Sequence, residues 1–224
     1  STANAIALLD IPSGLDRAVV ERTLEASLEV WRKDRDGELK PPNYTPYSIR
    51  IIGALVRLGR RDAALELLRF FLADRRPVAW NQWPEIAWRD QNAPGHLGDL
   101  PHTWVAAEYV LAVRSLFAYE RESDQTLVLA AGLAAEWLED VGVSVNDAPT
   151  LYGRLTYTLR KINSQSLRFV IDAGIAARVV LRPPLSAPLH SVTVNGHAHV
   201  DFDQDSVTIP QGPAEVICFI SDAA

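Results

Sequence analysis

The sequence predicts an α+β protein of two domains, with helical hairpins over residues 1–147 and a small antiparallel β-sandwich over residues 148–224. Two observations predict this division. Apolar residues recur at helical spacing as far as about residue 141, and from Leu151 onward they alternate with polar residues. A chain of 224 residues is long enough to bury a substantial core, as one large domain or two small ones.

In the first half, the spacing of apolar residues predicts a series of helices. The first of them places Leu24, Leu28 and Trp31 on one apolar stripe, with charged residues opposite. The second and third are separated by a short link containing Gly59, which is typical of an antiparallel helical hairpin. Five helices are predicted, and they span residues 15–36, 47–58, 62–73, 101–120 and 125–138.

The second half is predicted to consist of short strands joined by tight turns. Alternating stretches such as SLRFVID, HSVTVNG and AEVICFI are punctuated by Gly, Pro and Asn, a pattern typical of an antiparallel sandwich. The pair Asn195-Gly196 predicts a two-residue hairpin turn. Cys218 is the single cysteine, so an internal disulfide is excluded, and its apolar neighbours predict that it is buried.

Composition excludes several classes of partner. The net charge is -6 and no run of Lys or Arg exceeds two residues, whereas a nucleic-acid binder usually shows a clustered basic face. No apolar run approaches the roughly 20 residues of a membrane span, and no leader opens the chain. We therefore expect neither a nucleic-acid nor a membrane partner.

The most informative segment is WNQWPEIAWRDQNAPGHLGDLPHTW, from Trp80 to Trp104, which we call the Trp-rich loop. It holds four of the six Trp and two of the five His, and its Pro and Gly content predicts an ordered loop. Sugar rings stack on aromatic faces while their hydroxyls take polar partners, so Trp beside carboxylates and amides suits a sugar site. We expect an oligosaccharide or polysaccharide as ligand.

Each polar residue in this loop also has a purely structural interpretation. Glu85 is a candidate general base, and its structural interpretation, which the pattern alone favours, is an acidic loop residue that caps a helix or pairs with Arg89 four positions further on. His102 lies where a helix is predicted to start, so its side chain either enters a cleft or bonds to the backbone. Any single Trp is more often part of a core than of a binding site.

A second cluster of His and Asp residues lies between His197 and Asp205. Its Asp-x-Asp-x-Asp pattern matches the start of a calcium loop, but Ser206 and Gly212 replace the required glycine and glutamate. Alternation of this kind is typical of the solvated face of a strand. We expect no metal site and no cofactor.

Three stretches together resemble a known family: GDLPHTWVAAEYVLAVRSLFAYE, PTLYGRLTYTLR and the segment containing SVTVNG. They resemble the carboxy-terminal part of six-hairpin glycosidases, in particular alpha-L-rhamnosidase-like and similar bacterial glycoside hydrolases. In the rhamnosidases a Thr-Thr-x-Trp-Glu segment precedes a Phe-Asn-His-type segment that opens the last long helix. Here Trp83-Pro84-Glu85 lies where the first would be and Leu100-Pro101-His102 matches the second, while Asn81-Gln82 replace the Thr pair.

The resemblance implies a fold and a set of roles. The fold would be part of an (α/α)6 toroid followed by a β-sandwich. Glu85 would be the general base of an inverting hydrolysis, with an acid about 6.5–9.5 Å away, and His102 would contact the substrate. The other expected sugar contacts lie in the same loop and are Asn81, Asp99, Trp80, Trp83 and Trp104.

We also expect the chain to be a carboxy-terminal fragment that is catalytically incomplete alone. Five helices are fewer than six hairpins require, and the sequence contains no Met. The expected partner is the remainder of the parent toroid, which would supply the acid. Asp90 and Asp99 are the weaker candidates for that acid within this chain.

Two other functions fit the same residues. A polysaccharide lyase would use His102 as base, with Asn81 and Arg89 neutralising a uronate carboxylate. Unsaturated, ultraviolet-absorbing products would identify it. The other alternative is a non-catalytic helical module. A carbohydrate-binding module would bind glycans without turnover, and a purely structural module would neither bind nor cleave them.

Overall fold

The computed structural model describes residues 2–9, 15–39, 41–90, 92, 95–172 and 174–221. The chain divides into two compact units, Ser1–Ser115 and Leu116–Ala224. The first unit is mainly helical, and the second contains the two larger sheets. The sequence placed the domain boundary later, between residues 147 and 148.

Five α-helices lie in the described part of the chain, the last of them ending two residues beyond the first unit. They are α1 (Thr2–Leu9), α2 (Arg17–Arg35), α3 (Ile51–Arg57), α4 (Arg61–Ala73) and α5 (Thr103–Phe117). A 3-10 turn, Pro46–Arg50, precedes α3, and another, Val78–Trp80, opens the Trp-rich loop. A two-stranded ribbon pairs β1 (Asn43–Tyr44) with β2 (Ala87–Trp88). Among the described helices, none has the length and apolar character that crossing a bilayer requires.

Helix α2 shows why these elements form where they do. The Asp16 side chain accepts a hydrogen bond from the Ala18 amide at the start of the helix, satisfying one of its free N–H groups. Its buried stripe includes Val20 and Leu24, which pack with Ile6 of α1 in one apolar cluster. The predicted helices 15–36 and 62–73 are confirmed to within two residues at either end.

The second unit contains a six-stranded and a four-stranded sheet. Their strand orders are β10-β9-β12-β7-β6-β5 and β11-β8-β4-β3, and the β4–β8 pair is parallel whereas the others are antiparallel. The strands are β3 (Ala118–Arg121), β4 (Thr126–Leu129), β5 (Val143–Thr150), β6 (Gly153–Asn163), β7 (Ser166–Ile171), β8 (Arg178–Leu181), β9 (Leu189–Val194), β10 (His197–His199), β11 (Val207–Ile209) and β12 (Ala214–Ile220).

Two predictions for this half are confirmed. Asn195 and Gly196 link β9 to β10, and both have positive φ angles, 51° and 80°, as a tight two-residue hairpin turn requires. Cys218 lies in β12 and is fully buried. Burial raises the pKa of its thiol to about 12, which leaves it as an apolar packing group.

The predicted fold class is wrong. The described residues form only five α-helices, and sheets of six and four strands occupy a large part of the chain, so the molecule is not a toroid of helical hairpins with a small sandwich attached. The predicted helix 125–138 accounts for much of the error. It is replaced by β4 and by a 3-10 turn, Ala135–Leu138.

The physical reason lies in how completely this segment is buried. All four residues of β4 are buried, and a short apolar run without exposed positions has no periodicity that separates a strand from a helix. The strand is fixed by its partners β3 and β8 on either side. Pairing with β3 also explains why α5 ends at Phe117 rather than near residue 120.

Asp124 tightens the turn between β3 and β4. Its carboxylate accepts hydrogen bonds from Arg121, at 2.9 and 2.7 Å, and from Arg178 of β8 at 2.9 Å. The hydrogen bonds from Arg121 are the main cause that lowers the pKa of Asp124 to about 2. Because the folded-state pKa is depressed, the resulting stability is present above the unfolded-state pKa of about 3.9 and is lost as pH falls toward 2.

We predict that Asp124→Asn lowers the free energy of unfolding by about 1 kcal/mol at pH 6. The difference from the unchanged protein should shrink as pH falls from 4 to 2, because the carboxylate is protonated in the unfolded state below about 3.9 and only then, toward its folded-state pKa of about 2, in the folded state. Urea denaturation at pH 6 and pH 2.5 measures both values. Asp201→Asn, at an exposed position, serves as control; an Asp124 effect independent of pH would contradict the assignment.

Candidate functional site

The Trp-rich loop is closed by backbone hydrogen bonds between two of its segments, residues 83–86 and 97–102, which we call the paired segments. The Glu85 amide donates to the Asp99 carbonyl at 3.0 Å, and the Ile86 amide donates to the Leu97 carbonyl at 3.0 Å. The His102 amide donates to the Trp83 carbonyl at 3.2 Å. These three hydrogen bonds hold residues 83–86 against residues 97–102.

Trp83 anchors the paired segments to the helices. Its indole N–H donates to the Phe71 carbonyl of α4 at 2.9 Å, and its ring lies 4.9 Å from that of Tyr109 in α5. The residue is 3% exposed, so it offers no open face for stacking. This corrects its assignment as a sugar platform, because a Trp in a Pro- and Gly-rich loop is here part of the core.

The paired segments bring together Glu85, Asp99 and His102, which we call the cluster. One carboxylate oxygen or imidazole nitrogen from each residue lies within 4.8 Å of the corresponding atoms of the other two. His102 Nδ1 is 3.6 Å from Asp99 Oδ2, and the Asp99 amide donates to Glu85 Oε2 at 3.4 Å. The His102 side chain is 10% exposed and that of Asp99 is 81% exposed. A nearly buried imidazole therefore lies beneath an open carboxylate.

The orientation of His102 is set by a residue that sequence reasoning missed. Tyr47, in the 3-10 turn Pro46–Arg50, shares a hydrogen bond of 2.9 Å between its hydroxyl and His102 Nε2. The turn is capped by Thr45, whose hydroxyl accepts a hydrogen bond from the Tyr47 amide. Since Nε2 is engaged, Nδ1 is the nitrogen that faces the carboxylates. Tyr47 is 55 residues from His102, and no local pattern indicates this contact.

Trp104 differs from Trp83 in being open to solvent. It is 52% exposed, and its indole N–H donates to Glu108 Oε1 at 3.1 Å, one helical turn further along α5. The Arg50 guanidinium lies over the rings of Tyr47 and Trp104, at 4.9 and 5.2 Å, and 3.6 Å from Glu108 Oε1. These contacts fix the Trp104 ring in place while about half of the residue stays exposed to solvent.

Gly98 leaves room for the Glu85 carboxylate. It has a φ angle of +64°, and an added Cβ would overlap the Glu85 side chain. A glycine is required on both counts, since other residues rarely adopt this backbone conformation and any side chain would displace the carboxylate.

Trp80 and Asn81 lie at the other end of the loop. Trp80 is 61% exposed at the end of its 3-10 turn, and the Asn81 side chain accepts a hydrogen bond from Arg75. A cavity of about 300 Å³ opens on this side, with Asp90 among its polar residues. Its apolar lining includes Val78, Pro84, Trp88, Leu97 and Leu100.

Comparisons with known proteins found similarity in structure but not in sequence. No family model and no curated protein matches the sequence. The chain is similar to an alpha-L-rhamnosidase from Dictyoglumus thermophilum, with a TM-score of 0.51 and 11% identity over 79% of this chain and 21% of the rhamnosidase. A GH127 beta-L-arabinofuranosidase from Geobacillus stearothermophilus T6 matches at a TM-score of 0.35 and 13% identity, over 77% of this chain and 31% of that one.

The chain therefore spans about a fifth of the length of the rhamnosidase. At 11% identity this likeness shows a shared fold.

We predict that Gly98→Ala displaces the Glu85 side chain in addition to straining its own backbone. Gly37→Ala is the matched control, because Gly37 has a φ angle of +82° but nothing within 4 Å of an added Cβ. Both substitutions should cost about 1–2 kcal/mol from the left-handed conformation. Only Gly98→Ala should also shift the His102 ring resonances in a ¹H–¹³C NMR spectrum. Unchanged His102 resonances in Gly98→Ala would contradict the arrangement described for Glu85.

Proposed function

We propose that this chain is part of a glycoside hydrolase whose sugar site includes the Trp-rich loop. The observation that carries the proposal is the convergence of Glu85, Asp99 and His102. Exposed Trp104 is linked to this group through Tyr47, whose ring neighbours those of both His102 and Trp104. A positioned carboxylate, a positioned imidazole and an aromatic face are the groups that bind a sugar and activate water. The structural likeness to an alpha-L-rhamnosidase supports the same class.

In this proposal Glu85 is the general base of an inverting hydrolysis. Its carboxylate takes a proton from water as that water attacks the anomeric carbon, while an acid protonates the departing glycosidic oxygen. A general base must lie within hydrogen-bond reach of the proton that it removes, so its position must be fixed. The Glu85 amide is held by the Asp99 carbonyl, and Gly98 leaves its side chain free of steric conflict.

Asp99 is assigned to substrate contact rather than to acid catalysis. Its carboxylate lies within 4.8 Å of Glu85, whereas an inverting acid and base stand about 6.5–9.5 Å apart to admit a water and the scissile bond. An 81% exposed carboxylate is instead suited to accept hydrogen bonds from sugar hydroxyls. We propose that another part of the enzyme supplies the acid, as the chain spans a fifth of the related rhamnosidase.

The substrate is proposed to be an oligosaccharide or polysaccharide. Trp104 supplies an exposed aromatic surface two residues after His102, with its ring held by Glu108. The cavity of about 300 Å³, whose lining includes Pro84, Leu97 and Leu100 of the paired segments, is at the lower limit of the roughly 300–1,000 Å³ typical of small-molecule sites. We assign Trp80 and Asn81 to contacts with a more distant sugar unit.

The lyase alternative is less well supported by the geometry. It requires Arg89 and Asn81 to neutralise a uronate carboxylate near His102. Arg89 instead pairs with Asp34 and donates to the Pro41 carbonyl at 2.9 Å, and Asn81 is bonded to Arg75. Both side chains are therefore engaged by partners other than His102.

We predict that Glu85→Gln lowers kcat for glycoside hydrolysis by about 10²–10⁴-fold, the contribution typical of a general base. The measurement is a glycoside panel on the full natural gene product that contains this sequence. Glu29→Gln makes the same chemical change at an exposed position in α2 and should leave hydrolysis unchanged. Thermal unfolding of all three proteins verifies that the folded fractions match.

Each other outcome points to a different function. Equal hydrolysis by Glu85→Gln and the unchanged protein would remove Glu85 from the mechanism. Cleavage that yields unsaturated, ultraviolet-absorbing products would identify a lyase. Glycan binding without cleavage across the panel would identify a binding module.

A further inference from the structure

We propose that Glu85, Asp99 and His102 form a binding site for a divalent transition-metal ion of the Zn²⁺ type, oriented by Tyr47. The sequence analysis expected no metal site and considered only the His197–Asp205 stretch for one. The inference rests on the donor set and its geometry and is independent of the proposed hydrolase activity.

The donor set favours a transition metal over Mg²⁺ or Ca²⁺. It combines one imidazole nitrogen with two carboxylate oxygens, whereas Mg²⁺ and Ca²⁺ prefer oxygen ligands alone. Three protein ligands leave a fourth position of a tetrahedral ion open to water, as in open zinc sites.

The distances are compatible with closure around an ion. Zinc–ligand bonds of about 2.0–2.2 Å place neighbouring ligand atoms roughly 3.3–3.6 Å apart. His102 Nδ1 and Asp99 Oδ2 already stand 3.6 Å apart, and all three donor atoms lie within 4.8 Å. The remaining adjustment of about 1 Å is within reach of side-chain rotation. The Asp99 side chain has that freedom because it is 81% exposed.

His102 has the surroundings of a metal ligand. The 3.6 Å separation from Asp99 Oδ2 is too long for a hydrogen bond, so Nδ1 stands opposite a carboxylate without being bonded to it. Its other nitrogen is bonded to the Tyr47 hydroxyl at 2.9 Å, and metal-bound histidines are typically held in this way through their second nitrogen. Tyr47 is thus a positioning residue for the ion.

The local charge also favours a cation. Glu85 and Asp99 bring two carboxylates to a histidine that is 10% exposed. Arg50, which lies over the rings of Tyr47 and Trp104, is 3.6 Å from Glu108, and that carboxylate offsets its charge. A divalent ion would balance the two carboxylates of the cluster.

Binding of the ion has a consequence for catalysis. A Glu85 carboxylate that coordinates a metal no longer has its lone pair free to remove a proton from water. Added Zn²⁺ should therefore inhibit hydrolysis, and a chelator should restore it. Direct binding is the primary test, so failure of metal binding leaves the proposed hydrolase standing, and failure of hydrolysis leaves the metal site standing.

The experiment titrates the chelator-treated protein with Zn²⁺ by calorimetry and with Co²⁺ by visible absorption. We expect one ion per chain and Co²⁺ bands between about 500 and 650 nm of tetrahedral intensity. His102→Ala and Asp99→Asn should weaken binding by more than about 10-fold. His96→Ala and His197→Ala, both at exposed positions, should leave the affinity unchanged.

Tyr47→Phe tests the positioning role separately from loss of a ligand. It should weaken Zn²⁺ binding by about 10-fold while the Co²⁺ spectrum of the saturated protein stays tetrahedral. Tyr44→Phe is its matched control, since the buried Tyr44 hydroxyl has no hydrogen-bond partner among the described residues. No stoichiometric binding, or equal affinity in His102→Ala and Asp99→Asn, would overturn the proposal. Loss of affinity in His197→Ala would also overturn it by placing the ion in the second unit.

Discussion

The backbone hydrogen bonds between the paired segments are the constraint on which the site depends. Glu85, Asp99 and His102 all lie within these segments, and each contributes a backbone group to the pairing. Trp83 fixes the same segments to α4 and α5 through one hydrogen bond and one ring contact. A loop that pairs its own backbone satisfies groups that would otherwise need water, so it can hold side chains in place without being a helix or a strand.

Much of the helical unit follows from local sequence, whereas the sheets do not. Helix α2 is encoded by an apolar stripe and by Asp16 at its start, both visible in 20 residues. Strand β4 is encoded by its neighbours in space: β8 lies about 50 residues further along the chain, and four consecutive buried residues show no periodicity. Tertiary pairing thus overrides the helix predicted for residues 125–138.

The residues of the site also divide into those that local sequence indicates and those that depend on long-range contacts. The sequence locates the loop and brings Glu85, Asp99 and His102 under consideration, because carboxylates, His and Trp are concentrated there. It does not locate Tyr47, which reaches His102 across 55 residues. Nor does it separate buried Trp83 from exposed Trp104. Both indole N–H groups donate a hydrogen bond, to the Phe71 carbonyl and to Glu108, and tertiary packing sets the different exposure of the two rings. Long-range contacts decide which of the candidate residues share one site.

Amide hydrogen exchange measures the pairing of residues 83–86 with residues 97–102, because an amide in an intact hydrogen bond is protected from exchange. We expect the amides of Glu85, Ile86 and His102 to exchange at least about 100-fold more slowly than in an unstructured peptide. The Ala64 amide, bonded to the Arg60 carbonyl at the start of α4, provides an internal reference for a protected group. Exchange of all three loop amides at unprotected rates, with Ala64 still protected, would contradict the account.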